Sequence, residues 1–179
     1  MAEPRLRVLI SASDIHTRIQ ELGQQITSDY SADSPLYLIG ILKGAIMFHA
    51  DLARAIQKPR VRLDFIGISS YGKGKSSSGQ VKLTKDLDVT IEGADVLIVE
   101  DIIDTGITLT YLIGVIEQRK PRSIRIAAFL DKPDRRLRPV SATYLGFTIP
   151  DEFVVGYGLD FAEEYRHLRD LCVLESESP

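Results

Sequence analysis

Residues Val96–Thr110 read VLIVEDIIDTGITLT, and this stretch decides the fold. Its opening, inside ADVLIVE (94–100), is a short continuous apolar run, the pattern of a strand buried on both faces. The run ends on two adjacent acids, Glu100 and Asp101, and a polar loop follows from Asp104 to Thr108. Beyond the loop, Leu109, Leu112, Ile113 and Ile116 recur at helical spacing. Strand, loop and helix make part of a βαβ unit, and ligands of open α/β sheets bind at the carboxyl ends of the strands.

The residue types in the loop fit a particular chemistry. Two adjacent carboxylates can accept hydrogen bonds from a vicinal diol such as the 2′ and 3′ hydroxyls of ribose. Thr105 and Thr108 offer hydroxyls, Gly106 has no Cβ, and the helix start supplies free backbone N–H groups and a favourable dipole. Together they form a cradle for a phosphate. A bare E-D-x-x-D would read as acids gathered at a helix start, with Asp104 or Thr108 as a cap. That account explains the cap alone, not the carboxylate pair joined to a cradle.

Working outward, the same alternation continues in both directions. Before the stretch, Ser13-Asp14 precede Ile15, Ile19, Leu22 and Ile26, predicting a helix. LYLIGIL (36–42) predicts a buried strand, Gly44 to about Gln57 a helix stopped by Pro59, and VRLDFIGISSY (61–71) a strand. GKGKSSSGQ (72–80) has almost nothing to bury and reads as a loop, and VKLTKDLDVTI (81–91) alternates like a returning strand. After the stretch come SIRIAAFL (123–130) and the short strand patterns ATYLGF, EFVVGYG and LCVLES. Strands alternating with helices predict an α/β fold with a mainly parallel sheet. No repeat or linker divides the chain, so 1–179 is expected to be one domain.

Bulk properties narrow the class. With 179 residues, 44% of them apolar and 26% charged, the chain has the balance of an ordinary globular protein. A net charge of −3 gives no general reason to expect nucleic acid or an anionic membrane surface, so an anion site must be built locally. The single cysteine, Cys172, excludes a disulfide framework and is read as a buried apolar residue. His16, His49 and His167 are too scattered for a metal site and are read as structural or surface residues. MAEPRLRVLI lacks the apolar core of a signal peptide and no run approaches a membrane span, so the cytoplasm is expected. GISSYGKG (67–74) spells part of a nucleotide P-loop, but Gly74 stands where Ser or Thr is required and a strand pattern follows.

VEDIIDTGITL resembles the phosphoribosyl pyrophosphate (PRPP) signature of the type I phosphoribosyltransferases. LKGAIMFHADL, ISSYGKGKSSSGQVK and IPDEFVVGYGLDF resemble segments of the hypoxanthine-guanine branch, in the same order, and the likeness spans about Leu36 to Val173. The resemblance implies a mainly parallel central sheet flanked by helices, a small base-binding hood from the N- and C-terminal segments, and a flexible lid at about 70–80. It implies Mg²⁺-dependent transfer of 5-phosphoribosyl from PRPP to hypoxanthine or guanine, and a homodimer or homotetramer.

The resemblance also distributes roles. Glu100 and Asp101 hold the ribose hydroxyls and Mg²⁺, and Asp104, Thr105, Gly106, Ile107 and Thr108 hold the 5′-phosphate. Asp104 is additionally the acceptor or general base for the purine N7 proton. Lys43 and Gly44, after a cis peptide, meet the pyrophosphate with Arg166, and Ser70 and Tyr71 belong to the lid. Lys132 donates to the 6-oxo group, Phe153 stacks on the purine, the Val154 backbone reads the base edge, and Asp160 lies near the base and a second metal. Read without the resemblance, Lys43 is a strand-end lysine, Phe153 strand core, Asp160 and Arg166 surface charges, and Asp134, Arg135 and Arg136 a solvated turn. A nucleotide-sensing regulator built on the same fold is the competing expectation, and xanthine remains an open base.

Overall fold

In the computed structural model, which describes residues 5–70 and 81–175, the chain forms two sheets. In chain order the elements are β1 (Arg5–Ile10), α1 (Ala12–Asp29), β2 (Leu36–Leu42), α2 (Ile46–Ala55), β3 (Val61–Ser70), β4 (Val81–Lys85), β5 (Asp95–Ile103), α3 (Ile107–Glu117), β6 (Ser123–Asp131), β7 (Tyr144–Thr148), β8 (Val154–Val155) and β9 (Leu171–Glu175). The larger sheet runs β4-β3-β2-β5-β6-β7, parallel except where β4 returns along β3. The smaller, antiparallel sheet β1-β9-β8 joins the two ends of the chain.

The continuous apolar runs become central strands because both faces of the sheet are covered. Successive residues point to opposite faces. Leu36, Leu38, Leu97, Val99, Ala127 and Phe129 pack in one core with α1 and α2. Tyr37, Ile39, Val96, Ile98, Ile126 and Ala128 pack in the other, beneath Leu109, Leu112 and Ile116 of α3. Every apolar position expected on the first helix, Ile15, Ile19, Leu22 and Ile26, is buried.

The strand order also locates the site. From β2 the chain passes through α2 to β3 on one side, and from β5 through α3 to β6 on the other. β2 and β5 are neighbours, so the topological switch point lies between their carboxyl ends, where open α/β sheets bind ligands.

Several boundaries differ from expectation. β1 is a strand that the alternating charges of RLRVLI conceal; it pairs with β9 over Arg5–Ile10. α1 begins at Ala12 because Ser11, not Ser13, caps it, its Oγ accepting from Asp14 N at 3.2 Å. α2 begins at Ile46 rather than Gly44. β4 stops at Lys85, and Asp88 N instead donates to the buried Asp64 carboxylate at 2.8 Å. β5 runs on past Glu100 and Asp101 to Ile103, so the strand outlasts the acids expected at its carboxyl end. Cys172 is buried in β9, and His49 is buried with its Nε2 at 3.2 Å from Leu38 O. No helix among the described residues is long and apolar enough to cross a membrane. Tyr71 and the remainder of the expected lid, 71–80, lie outside the described residues, as does the side chain of Ser70.

Candidate active site

The carboxyl ends of β2 and β5 meet at Gly44 and Asp101. A Cβ on Gly44 would stand 1.5 Å from Asp101 Oδ2, so glycine leaves room for the Asp101 carboxylate against this stretch of backbone. The preceding Leu42–Lys43 peptide is cis, as the resemblance implied. Asp101 Oδ1 accepts from the Ile102 N–H at 2.7 Å. Glu100 keeps some exposed surface, yet its carboxyl is enclosed enough that burial, and then the neighbouring Asp101 charge, pushes its pKa well above the usual range. Among the described residues no lysine or arginine forms an ion pair with either acid.

The next turn is held by backbone. Lys132 N donates to Ile103 O at 3.0 Å, and the N–H groups of Leu137 and Arg138 both reach Thr105 O, at 2.9 and 3.1 Å. Gly106 takes φ +80°, and a Cβ there would meet Val140 at 2.8 Å and Arg138 O at 3.0 Å. Gly106 has no side chain with which to cap α3, which starts at Ile107; Thr105 Oγ1 accepts from Ile107 N at a long 3.4 Å, and the next N–H groups of the first turn have no side-chain partner among the described residues. Glu100, Asp101, Asp104, Thr105, Gly106 and Thr108 line one cavity of about 160 Å³. Carboxylates on one wall and helix N–H groups on the other suit a phosphorylated sugar.

A second cavity, about 390 Å³, adjoins it, sharing Asp101, Ile102 and Asp104. Lys132, Arg135, Phe153, Val154, Leu159 and Asp160 complete its wall. Lys132 is 9% exposed; its ammonium donates to Glu152 O at 2.6 Å and stands 3.6 Å from Asp151 Oδ1. Phe153 is 55% exposed, an aromatic face at the cavity backed edge-on by Phe161 at 5.8 Å. It is therefore not strand core, whereas Val154 is buried in β8. A slot walled by Phe153, Val154 and Leu159, with the donor-only Lys132 and Arg135 and the carboxylates of Asp101, Asp104 and Asp160, suits a flat heterocycle bearing a carbonyl and an N–H.

Lys43 and Arg166 meet through Glu163, whose Oε2 lies 2.8 Å from Lys43 Nζ and 3.4 Å from Arg166 Nη2. Lys43 holds the Glu163 carboxyl below its ordinary pKa. Arg166 also pairs with Asp160 at 2.8 Å and donates to Gly158 O at 2.8 Å. Asp160 is thus engaged by Arg166, and the described residues contain no cluster of three metal-ligating side chains. A further cavity, about 490 Å³, is lined by α1, α2, Tyr157 and residues 167–169 and includes none of the residues expected at the site.

Sequence reasoning missed three contributors. Arg135, read as part of a solvated turn, lies 2.8 Å from Asp104. Arg136 is half-buried, paired with Asp131 and donating to Val140 O at 2.5 Å, so it braces the turn around Gly106. Glu163 lies in a loop whose left-handed residues, Ala162, Glu163 and Tyr165, carry no sequence signal of that conformation.

Comparison with known proteins agrees with this geometry. Residues 11–162 match the phosphoribosyl transferase domain model. The chain is 50% identical to the hypoxanthine-guanine phosphoribosyltransferase of Bacillus subtilis over 169 residues, 94% of this chain and 93% of that protein. The chain belongs to the phosphoribosyltransferase family. A hypoxanthine phosphoribosyltransferase from Staphylococcus aureus superposes with a TM-score of 0.90 at 46% identity, covering 94% of this chain and 91% of that one. The Trypanosoma cruzi hypoxanthine phosphoribosyltransferase gives 0.90 at 45% identity, covering 98% and 94%. Within this phosphoribosyltransferase, the family match spans both cavities up to Asp160.

Proposed function

We propose that the chain transfers the 5-phosphoribosyl group of PRPP to N9 of hypoxanthine or guanine, releasing pyrophosphate and forming IMP or GMP. The observation that carries this reading is the shared wall of the two cavities. Asp104 opens the phosphate loop and, with Lys132, lines the adjoining slot.

In this reading the 5′-phosphate rests on the loop Asp104–Thr108, Ile107 contributing its backbone, and the ribose hydroxyls face Glu100 and Asp101. The purine enters over Phe153, with its 6-oxo group toward Lys132 and its N7–H toward Asp104. The Val154 backbone reads the base edge. Lysine can only donate, so it favours a 6-oxopurine over adenine, whose 6-amino group is also a donor. As the C1′–N9 bond forms and the bond to pyrophosphate oxygen breaks, positive charge develops on the purine. Asp104 stabilises that charge and accepts the N7 proton. Lys43, Gly44 and Arg166 receive the pyrophosphate, with Ser70 and Tyr71 assigned to the lid.

Glu100 and Asp101 fit Mg²⁺, because two hard oxygen donors crowd together and no protein cation pairs with them among the described residues. Mg²⁺ held by Glu100 and Asp101 would supply neutralising charge to the phosphorylated substrate. Asp160 is a candidate for contact with a second ion on the base side. A cytoplasmic homodimer or homotetramer belongs to the same reading; exposed Leu63, Ile46 and Met47 leave apolar surface for a second copy.

The test is nucleotide formation from PRPP and Mg²⁺ with hypoxanthine, guanine, xanthine and adenine in parallel. Turnover with hypoxanthine or guanine and none with adenine is expected. Measurable PRPP binding with no turnover of any base would favour a nucleotide sensor instead.

A further inference from the structure

One side chain at the base pocket has no role in the reading above. Arg135 lies in the single 3₁₀ turn Pro133–Arg135 that follows β6 and Lys132. Its guanidinium is forked: Nε stands 2.8 Å from Asp104 Oδ1, and Nη1 donates to Asp151 Oδ1 at 3.4 Å. The same Asp151 oxygen is 3.6 Å from Lys132 Nζ. Four charges of alternating sign therefore form a row, Asp104, Arg135, Asp151, Lys132, all but Asp151 lining the slot. The two ends of the row are the acceptor and the donor assigned to the purine.

The geometry of the links matters. No aligned hydrogen bond reaches Asp104 Oδ1, so Arg135 holds it by charge alone. The Lys132 ammonium already has one strong acceptor in Glu152 O and only a loose link to Asp151. Each end can thus accept a purine atom without breaking a well-made bond. The N7–H and the 6-oxo group of a 6-oxopurine project from the same edge, so their partners must stand at one fixed separation. A planar fork spanning two carboxylates can impose that separation, where a single ammonium cannot.

We propose that Arg135 is the positioning residue of the base pocket, holding Asp104 and, through Asp151, Lys132 at the spacing a 6-oxopurine requires. The proposal rests on the function inferred above. It does not make Arg135 a catalytic residue, since its contacts are to the reading groups rather than to the reacting atoms. The phosphate loop is fixed independently by the backbone bonds at Ile103 and Thr105, so loss of Arg135 leaves the PRPP seat intact.

The experiment compares steady-state constants of the wild type, Arg135→Ala, Arg135→Lys, Asp151→Asn and the double variant Arg135→Ala/Asp151→Asn. Arg135→Ala is expected to raise the KM for hypoxanthine about tenfold while changing kcat less than about threefold and the KM for PRPP less than about twofold. Arg135→Lys recovers only part of the loss, because it restores charge without the fork. Asp151→Asn raises the same KM about threefold, and the double variant is no worse than Arg135→Ala, because both remove one chain of contacts. An unchanged hypoxanthine KM in Arg135→Ala overturns the proposal. So does a parallel rise of both KM values, which marks a merely structural role, or a double variant whose losses multiply. A wild type inactive with every base would instead defeat the proposed function.

Discussion

The two cavities, proposed as phosphate loop and base pocket, share Asp104, yet they are built from different materials. Around Thr105 and Gly106 the shape is fixed by backbone hydrogen bonds and by a glycine with no room for a Cβ. Around Lys132 and Phe153 it is fixed by side chains: a buried ammonium on a carbonyl, an edge-packed ring, and ion pairs whose members are about half exposed. The difference teaches how each region should fail. On the proposed reading the backbone cradle meets a phosphate that never varies, and it tolerates no change of shape. A wall of side chains can tune which base enters, and it degrades by degrees, since exposed ion pairs contribute only about 0–1 kcal/mol each.

The largest effect expected from this contrast is at Gly106. Gly106→Val must hold φ +80° and push against Val140 and the Arg138 carbonyl. Strain and overpacking of this kind cost several kcal/mol, so PRPP binding should weaken about 100-fold or more. Isothermal titration with PRPP and Mg²⁺ reads this directly. Retained affinity would mean that the turn is not the rigid part of the site. Arg135→Ala, which touches only the side-chain wall, marks the graded end of the same comparison.

A smaller effect of opposite sign is expected in Glu100→Gln. Burial and Asp101 raise the carboxyl's pKa in the folded protein. The native state therefore binds this proton more tightly than the unfolded chain, and stability falls as pH rises from the ordinary glutamate range through the raised value. The amide removes that cost, so the variant should melt about 2–5 °C higher above that range while losing PRPP affinity. The gain should vanish at a pH where both states are protonated. An equal shift at every pH would place the effect in packing instead.

The residues themselves disclosed more of the first region than of the second. Glu100, Asp101, Asp104, Thr105, Gly106 and Thr108 lie close together in sequence, and their types at a strand-to-helix turn already point to the proposed ribose-phosphate seat. The central strands were legible for a similar reason, since runs buried on both faces leave an unbroken apolar signature. The base pocket is assembled from residues distant in sequence, Lys132, Phe153, Leu159 and Asp160, and only the family resemblance brought most of them together. Phe153 read on its own suggests strand core, and nothing in its neighbours predicts a half-exposed ring. Arg135 stayed hidden because a charged turn looks solvated until its partners are placed. β1 escaped because Arg5 and Arg7 alternate with apolar residues on an edge strand that is itself largely exposed.

The measurement that tests the account most directly is Asp104→Asn, with PRPP affinity and turnover determined on the same protein. The amide keeps the size of the side chain and leaves the backbone cradle untouched, but it removes the charge offered to the purine. Turnover should fall about 100-fold or more, the scale of a lost acid–base group, while the Kd for PRPP changes less than about threefold. A loss of PRPP affinity as large as the loss of turnover would contradict the assignment, making Asp104 part of the phosphate seat rather than the group that meets the base.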